Sequence, residues 1–142
     1  MLRVVLDTNI VISGLIWRGT PHLLMQALVH DEFSAATSYE LISELSRKLF
    51  GSKLSAELLK REIAAENLLG IYVALCDVVS PSPLPTPVCR DPDDDAVLAC
   101  AVAAKADLIV SGDADLLTLK RYEGIDVLSA AQALELVSRP NH

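Results

Sequence analysis

Short, fully apolar runs alternate along this chain with segments whose apolar residues recur every three or four positions. The first pattern reads as buried strand and the second as helix. Leu2 to Leu6 is apolar apart from Arg3 and predicts a strand. Pro21 to Val29 predicts a helix with Pro21 in its first position and Thr20 as cap. Phe33 to Ala36 predicts a short strand. Thr37-Ser38-Tyr39-Glu40 has capping-box spacing, and Leu41, Leu45 and Leu49 then follow at intervals of four. Leu54 to Leu69 predicts one amphipathic helix closed by Gly70, and Ile71 to Cys76 fits either a strand or that helix's continuation.

Five of the seven prolines lie in SPSPLPTPVCRDP, which reads as an extended connection across a sheet edge in preference to a ligand for a proline-recognising domain. Asp91 as cap and Pro92 as first residue then open a helix through Ala104 that is apolar on all sides and must therefore be buried. Asp107 to Ser111 predicts a strand, Ala114 to Tyr122 a helix, Asp126 to Leu128 a strand and Ala130 to Val137 a helix. The tail SRPNH is expected to fray. Strands alternating with helices imply an α/β fold around a mostly parallel sheet, and 142 residues suit one domain spanning 1–142.

Composition narrows the function. A hydrophobic fraction of 51% and a mean hydropathy of +0.37 provide for a substantial core. No apolar run reaches membrane-spanning length, and Arg3 and Asp7 interrupt the apolar N-terminal stretch, which lacks a cleavage site. A soluble, unprocessed cytoplasmic protein is expected. Cys76, Cys89 and Cys100 form no C-x-x-C pair and read as buried thiols of a reducing compartment. His22, His30 and His142 have no zinc spacing, so any metal would be held by oxygen. The net charge of −7 argues against a passive nucleic-acid coat, and 4% aromatics against a base-stacking platform.

Acids stand out by position. Asp7, in LDTN, ends the first strand, and Asp113, in SGDADLL, follows a later one; ligands bind open parallel sheets at these carboxyl ends. Asp107 lies at the opposite end of its strand and is excluded. Glu44, three residues after Leu41, sits on the shoulder of a buried helical stripe. Asp95 stands in the first turn of the all-apolar helix, with Leu98 and Ala99 as core-like neighbours. Each acid also has a plainer reading: Asp7 as a helix cap, Asp93 to Asp95 as complements to a helix dipole, Asp113 and Asp115 as turn and cap, Glu44 as a surface charge. Convergence changes the balance, because two carboxylates about 4 Å apart repel by roughly 4 kcal/mol at an effective dielectric of 20. A divalent cation relieves that repulsion, and hard oxygen ligands suit Mg²⁺ or Mn²⁺. The chemistry implied is metal-assisted phosphodiester hydrolysis.

VVLDTNIVISGL, ELISEL, DPDDDAVLACAVAAKAD and LIVSGDADLL, in this order, resemble the acidic segments of the PIN-domain ribonucleases, which include toxins of prokaryotic toxin–antitoxin pairs of the VapC type. The resemblance runs from Leu2 to Leu128. It implies a three-layer α/β/α sandwich with a central parallel sheet, Mg²⁺- or Mn²⁺-dependent cleavage of single-stranded RNA, homodimers and a cognate antitoxin protein. Carried onto this chain, Asp7, Glu44, Asp95 and Asp113 are the catalytic, metal-binding acids, with Asp115 a further ligand or water-positioner. Asn9 orients Asp7, and Thr8 and Ser111 hydrogen-bond the site. The third acid is offered three times, and Asp95 is preferred because it directly precedes AVLACA; Asp94 is the alternative. Arg47, Lys48, Arg90, Lys105, Lys120 and Arg121 are candidate phosphate contacts, and Trp17 can stack on a base, pack in a dimer or pack within the subunit. Two rival readings are a PIN fold kept for binding without catalysis, and a phospho-accepting receiver domain, which needs a lysine where LIVSGD ends without one.

Overall fold

The computed structural model describes residues 1–138, so the expectation for the tail lies outside the described residues from 139 onward. Its elements are β1 (Arg3–Leu6), α1 (Thr8–Ile16), α2 (Thr20–Val29), β2 (Ser34–Ser38), α3 (Tyr39–Leu49), α4 (Ser52–Lys60), α5 (Ala65–Leu75), β3 (Cys76–Val79), α6 (Pro92–Ala104), β4 (Leu108–Val110), α7 (Ala114–Leu117), β5 (Arg121–Tyr122), β6 (Ile125–Leu128) and α8 (Ala130–Val137). The strands form one sheet in the order β3-β2-β1-β4-β6-β5. All neighbours are parallel except β5 and β6.

Alternation along β1 divides the core. Val4 and Leu6 face one layer with α1, α2, α5 and α8, while Val5 faces α6 on the other side with Leu98, Ala101 and Ile109. Helices cover both faces, which gives the α/β/α arrangement. Helix α3 reaches both layers, with Leu41 in one cluster and Leu45 and Leu49 in the other.

Several boundaries differ from the sequence reading. The helix expected over 54–69 is two helices, separated where Glu62 adopts φ 57° and the Ile63 amide bonds back to Leu58 O at 2.9 Å. That is a Schellman-type stop built without glycine. Gly70 lies inside α5, which runs on to Leu75 before β3 begins. Helix α7 ends at Leu117, not Tyr122. Lys120 turns at φ 61°, and Glu123 and Gly124, both at positive φ, make the two-residue hairpin that folds β5 back on β6. The cap of α3 is Ser38, accepting from the Leu41 amide at 3.4 Å, and Gly19 rather than Thr20 precedes α2. Of the three cysteines only Cys100 is fully buried; Cys76 and Cys89 are half-buried. Among the described residues no helix is long and apolar enough to cross a membrane.

At the sheet's amino end Asp107 accepts from the Arg3 amide at 2.8 Å, and the Arg3 guanidinium bonds Asp77 at 2.7 Å and Ala104 O at 2.8 Å. Those charges close the bottom of the sheet. The candidate acids lie at the other end.

Candidate functional site

Chain order across the sheet reverses between β1 and β4: β2 and β3 lie to one side of β1, and β4 and β6 to the other. Such a switch point opens a crevice beyond the carboxyl ends of the strands. Leu6 pairs with Val110, so the next residues, Asp7 and Ser111, meet at its mouth. The Ser111 hydroxyl donates to Asp7 Oδ2 at 2.6 Å and accepts from the Asp113 amide at 2.9 Å. Asp7 occupies the N-cap position of α1, yet its side chain makes no capping bond there. Burial pushes its carboxyl up, partly offset by the Ser111 hydroxyl.

Asp94 enters from the first turn of α6. It is 6% exposed, and its Oδ2 is buried with no hydrogen-bond partner. Burial, then the negative charges of Asp113 and Asp7, push its carboxyl up to about 7. Carboxylate oxygens of Asp94, Asp113 and Asp115 all lie within 4.8 Å of one another. Asp113 is also the cap of α7, accepting from the Asp115 amide at 2.8 Å, so the plainer reading of that residue holds alongside its place in the cluster. Arg90 grips the Asp115 carboxylate through both oxygens, at 3.0 and 3.1 Å.

Glu44 arrives from α3 and is buried. Burial raises its carboxyl; a hydrogen bond with Thr8 opposes the rise, and the carboxylate of Asp93 adds to it. Lys48 Nζ lies 3.8 Å from Glu44 Oε1 and donates to Asn9 Oδ1 at 3.0 Å. Asn9 is thus engaged by Lys48, and it is Ser111, not Asn9, that holds Asp7.

Asp95 is placed differently from the sequence reading. Its Oδ1 accepts from the Cys89 amide at 2.7 Å and its Oδ2 from the Val88 amide at 3.1 Å, tying the proline-rich connection onto α6. One residue turns an α-helix by about 100°, so Asp94 and Asp95 cannot face the same way. Asp94 shares its face with the buried Val97, Leu98 and Ala101; Asp95 is in phase with the exposed Val102. Asp93, one of the three acids offered at this helix start, lies opposite Glu44, and its position in the run is also good dipole chemistry.

Trp17 lies at the far end of α1, roughly 15 Å of helix from Asp7. The Arg61 guanidinium stacks on its ring, 5.8 Å from the centroid, and the Trp17 side chain is otherwise exposed. Lys105 ends α6 at the pole remote from Asp94, and Arg121 lies 3.9 Å from Asp126. The clustered groups are hard oxygen donors, which suit a hard divalent cation and not a thiophilic metal.

Comparison with known proteins agrees with this architecture. The family profile described as PIN domain matches residues 3–115. An uncharacterized protein of Methanocaldococcus jannaschii, MJ1680, is 30% identical over 120 residues, covering 84% of this chain and 76% of that protein. VapBC2 from Rickettsia felis, solved bound to a DNA fragment from their promoter, superposes with a TM-score of 0.61 over 90% of this chain and 98% of that one, at 15% identity.

Proposed function

The chain belongs to the PIN-domain family, and from that premise we propose that it is a metal-dependent endoribonuclease acting on single-stranded RNA in the cytoplasm. That membership removes the receiver-domain reading. The observation that carries the proposal is Asp94 Oδ2: a buried carboxylate oxygen without a partner, beside two further carboxylates, is costly to a fold unless a cation completes it.

Asp7, Asp94, Asp113 and Asp115 are the residues that would hold Mg²⁺ or Mn²⁺, and Glu44 is the fourth of the catalytic acids with Asp7, Asp94 and Asp113. When bound, such an ion supplies Lewis acidity and lowers the pKa of a coordinated water. The chain's own residues supply orientation. Ser111 fixes the Asp7 carboxylate and, through the Asp113 amide, the start of α7. Thr8 holds Glu44, whose burial keeps its carboxyl more basic than usual and suits it to accept a proton from an attacking water. Arg90, beside Asp115, offers a guanidinium to the scissile phosphate. Charge on the acids, a liability for passive RNA binding, thus becomes the means of catalysis.

The likeness in fold to VapBC2 supports a further reading: this domain, spanning 1–142, is the toxin of a toxin–antitoxin pair, working as a homodimer and neutralised by a cognate antitoxin. The test is incubation of purified protein with total host RNA in Mn²⁺, in Mg²⁺ and in chelator, beside Asp7→Asn, with new ends mapped by sequencing. Metal-dependent cuts absent from the variant are expected. No cuts under either metal, in protein free of inhibitor, would overturn the nuclease and leave a PIN fold kept for binding.

A further inference from the structure

Beside the acidic cluster, between α1 and the α3–α4 junction, lies a groove of about 530 Å³ lined by Asn9, Ile12, Arg47, Lys48, Gly51, Ser52, Lys53 and Leu54. Its charge is opposite to that of the molecule. The chain has 19 acids to 12 bases, yet this lining holds three cations and no acid. Arg47 and Lys53 are exposed and make no ion pair among the described residues. Only Lys48 has a carboxylate near it, Glu44 at 3.8 Å, so the three cations repel one another, and an anion brought among them relieves that repulsion.

The groove is continuous with the site. Lys48 and Asn9, joined at 3.0 Å, are both in its wall; Lys48 also approaches Glu44, and Asn9 follows Asp7 by two residues. Helix α4 begins in the groove at Gly51 with no side-chain cap and no acid in its first turn, which leaves backbone amides directed there as well. Ile12 and Leu54 add apolar surface between the charges. A strand carrying regularly spaced anions separated by less polar groups fits such a lining, and single-stranded RNA is one.

We infer that this groove binds backbone phosphates of the substrate strand next to the one being cut, with Arg47, Lys48 and Lys53 as the contacts. The inference rests on the ribonuclease reading for the identity of the strand, but its test does not depend on cleavage. Binding of a fluorescently labelled oligouridine to the Asp94→Asn protein in chelator is followed by anisotropy across a salt series. Adding Arg47→Ala and Lys53→Ala should weaken binding and reduce the slope of log affinity against log salt by about 1.4, near 0.7 per lost cation. Lys105→Ala, at the remote end of α6, should leave both unchanged, and thermal unfolding should show that the exposed substitutions preserve the fold. An unchanged affinity and slope in the doubly substituted groove would overturn the inference and leave an acidic protein segment as its occupant; so would absence of binding by the parent. If the wild type cuts no RNA while the groove variant still shows the reduced slope, the groove stands and the nuclease reading falls.

Discussion

Ser111 and Asp7 meet across neighbouring parallel strands, 104 residues apart in sequence, through a buried hydroxyl-to-carboxylate bond of 2.6 Å. The bond has two roles, because the same hydroxyl oxygen receives the Asp113 amide. Ser111→Ala removes a hydrogen-bond partner from the buried Asp7 carboxylate and another from the half-buried Asp113 amide. Hydrogen bonds to charged groups contribute about 1.5–3 kcal/mol, and a loss of that order is expected in urea unfolding. The Asp7 carboxyl should also rise further, moving the acid limb of the pH–activity profile to higher pH. A stability loss with an unmoved limb would mean that Ser111 supports the sheet and not the site.

Asp94→Asn and Asp95→Asn should separate cleanly. The first is expected to reduce cleavage by at least about a hundredfold and to weaken Mn²⁺ binding, measured by titration calorimetry, while leaving the fold intact. The second should keep metal binding, since both Asp95 oxygens are committed to the Val88 and Cys89 amides, but should expose residues 80–90 to limited proteolysis. Loss of metal binding in Asp95→Asn with full retention in Asp94→Asn would reverse the assignment.

The metal-free protein should lose stability as pH rises. Asp94 is pushed to about 7 in the fold against 3.8 ordinarily, so between those values the folded state holds a proton that the unfolded state has released. The resulting stabilisation is complete below about pH 4 and disappears as pH passes through 7, with Asp7 and Glu44 shifted in the same direction. Urea midpoints should therefore fall between pH 5 and pH 8 in chelator. Saturating Mn²⁺ should abolish that fall, and Asp94→Asn, which cannot ionise, should flatten it.

Arg90 competes with any cation for Asp115. Its side chain is 88% exposed, so solvent screens the pair and it contributes little. Arg90→Ala should then tighten Mn²⁺ binding by no more than about fivefold. Slower RNA cleavage at saturating metal in the same variant would place the guanidinium on the phosphate.

A last substitution probes the scaffold alone. A Cβ on Gly14 would lie 2.5 Å from Met25 Cγ and 2.7 Å from Pro21 O, where α1 and α2 touch. Gly14→Ala should destabilise the protein by about 1–3 kcal/mol, read from its thermal midpoint, with no change in metal affinity.

The alternation of strands and helices and the placement of Asp7, Glu44 and Asp113 were legible because each depends on patterns local to one element: an apolar strand, a leucine stripe, a carboxylate at a strand's end. The strand order that makes the switch point was not, because it depends on the whole sheet. What escaped depended on rotation and on backbone strain. Helix α6 is apolar on almost every side, so its sequence has no polar face against which to phase Asp93, Asp94 and Asp95; only the sheet beneath decides which of them points into the crevice. The breaks at Glu62 and Lys120 use positive φ at residues with side chains, and nothing in their chemistry announces it. The capping box proposed at Thr37 to Glu40 occurs instead at Ser129 and Gln132, where both reciprocal bonds form.

The acid run at the start of α6 distributes four tasks around a single turn. Asp91 caps the helix, Asp93 faces Glu44, Asp94 enters the cluster and Asp95 anchors the proline-rich connection. The segment therefore reads like a frame and not like a composition: deleting one aspartate, or inserting one, would keep it acidic while rotating every later carboxylate by about 100° into its neighbour's task. Slippage by one position there should be more damaging than neutralising Asp93 alone.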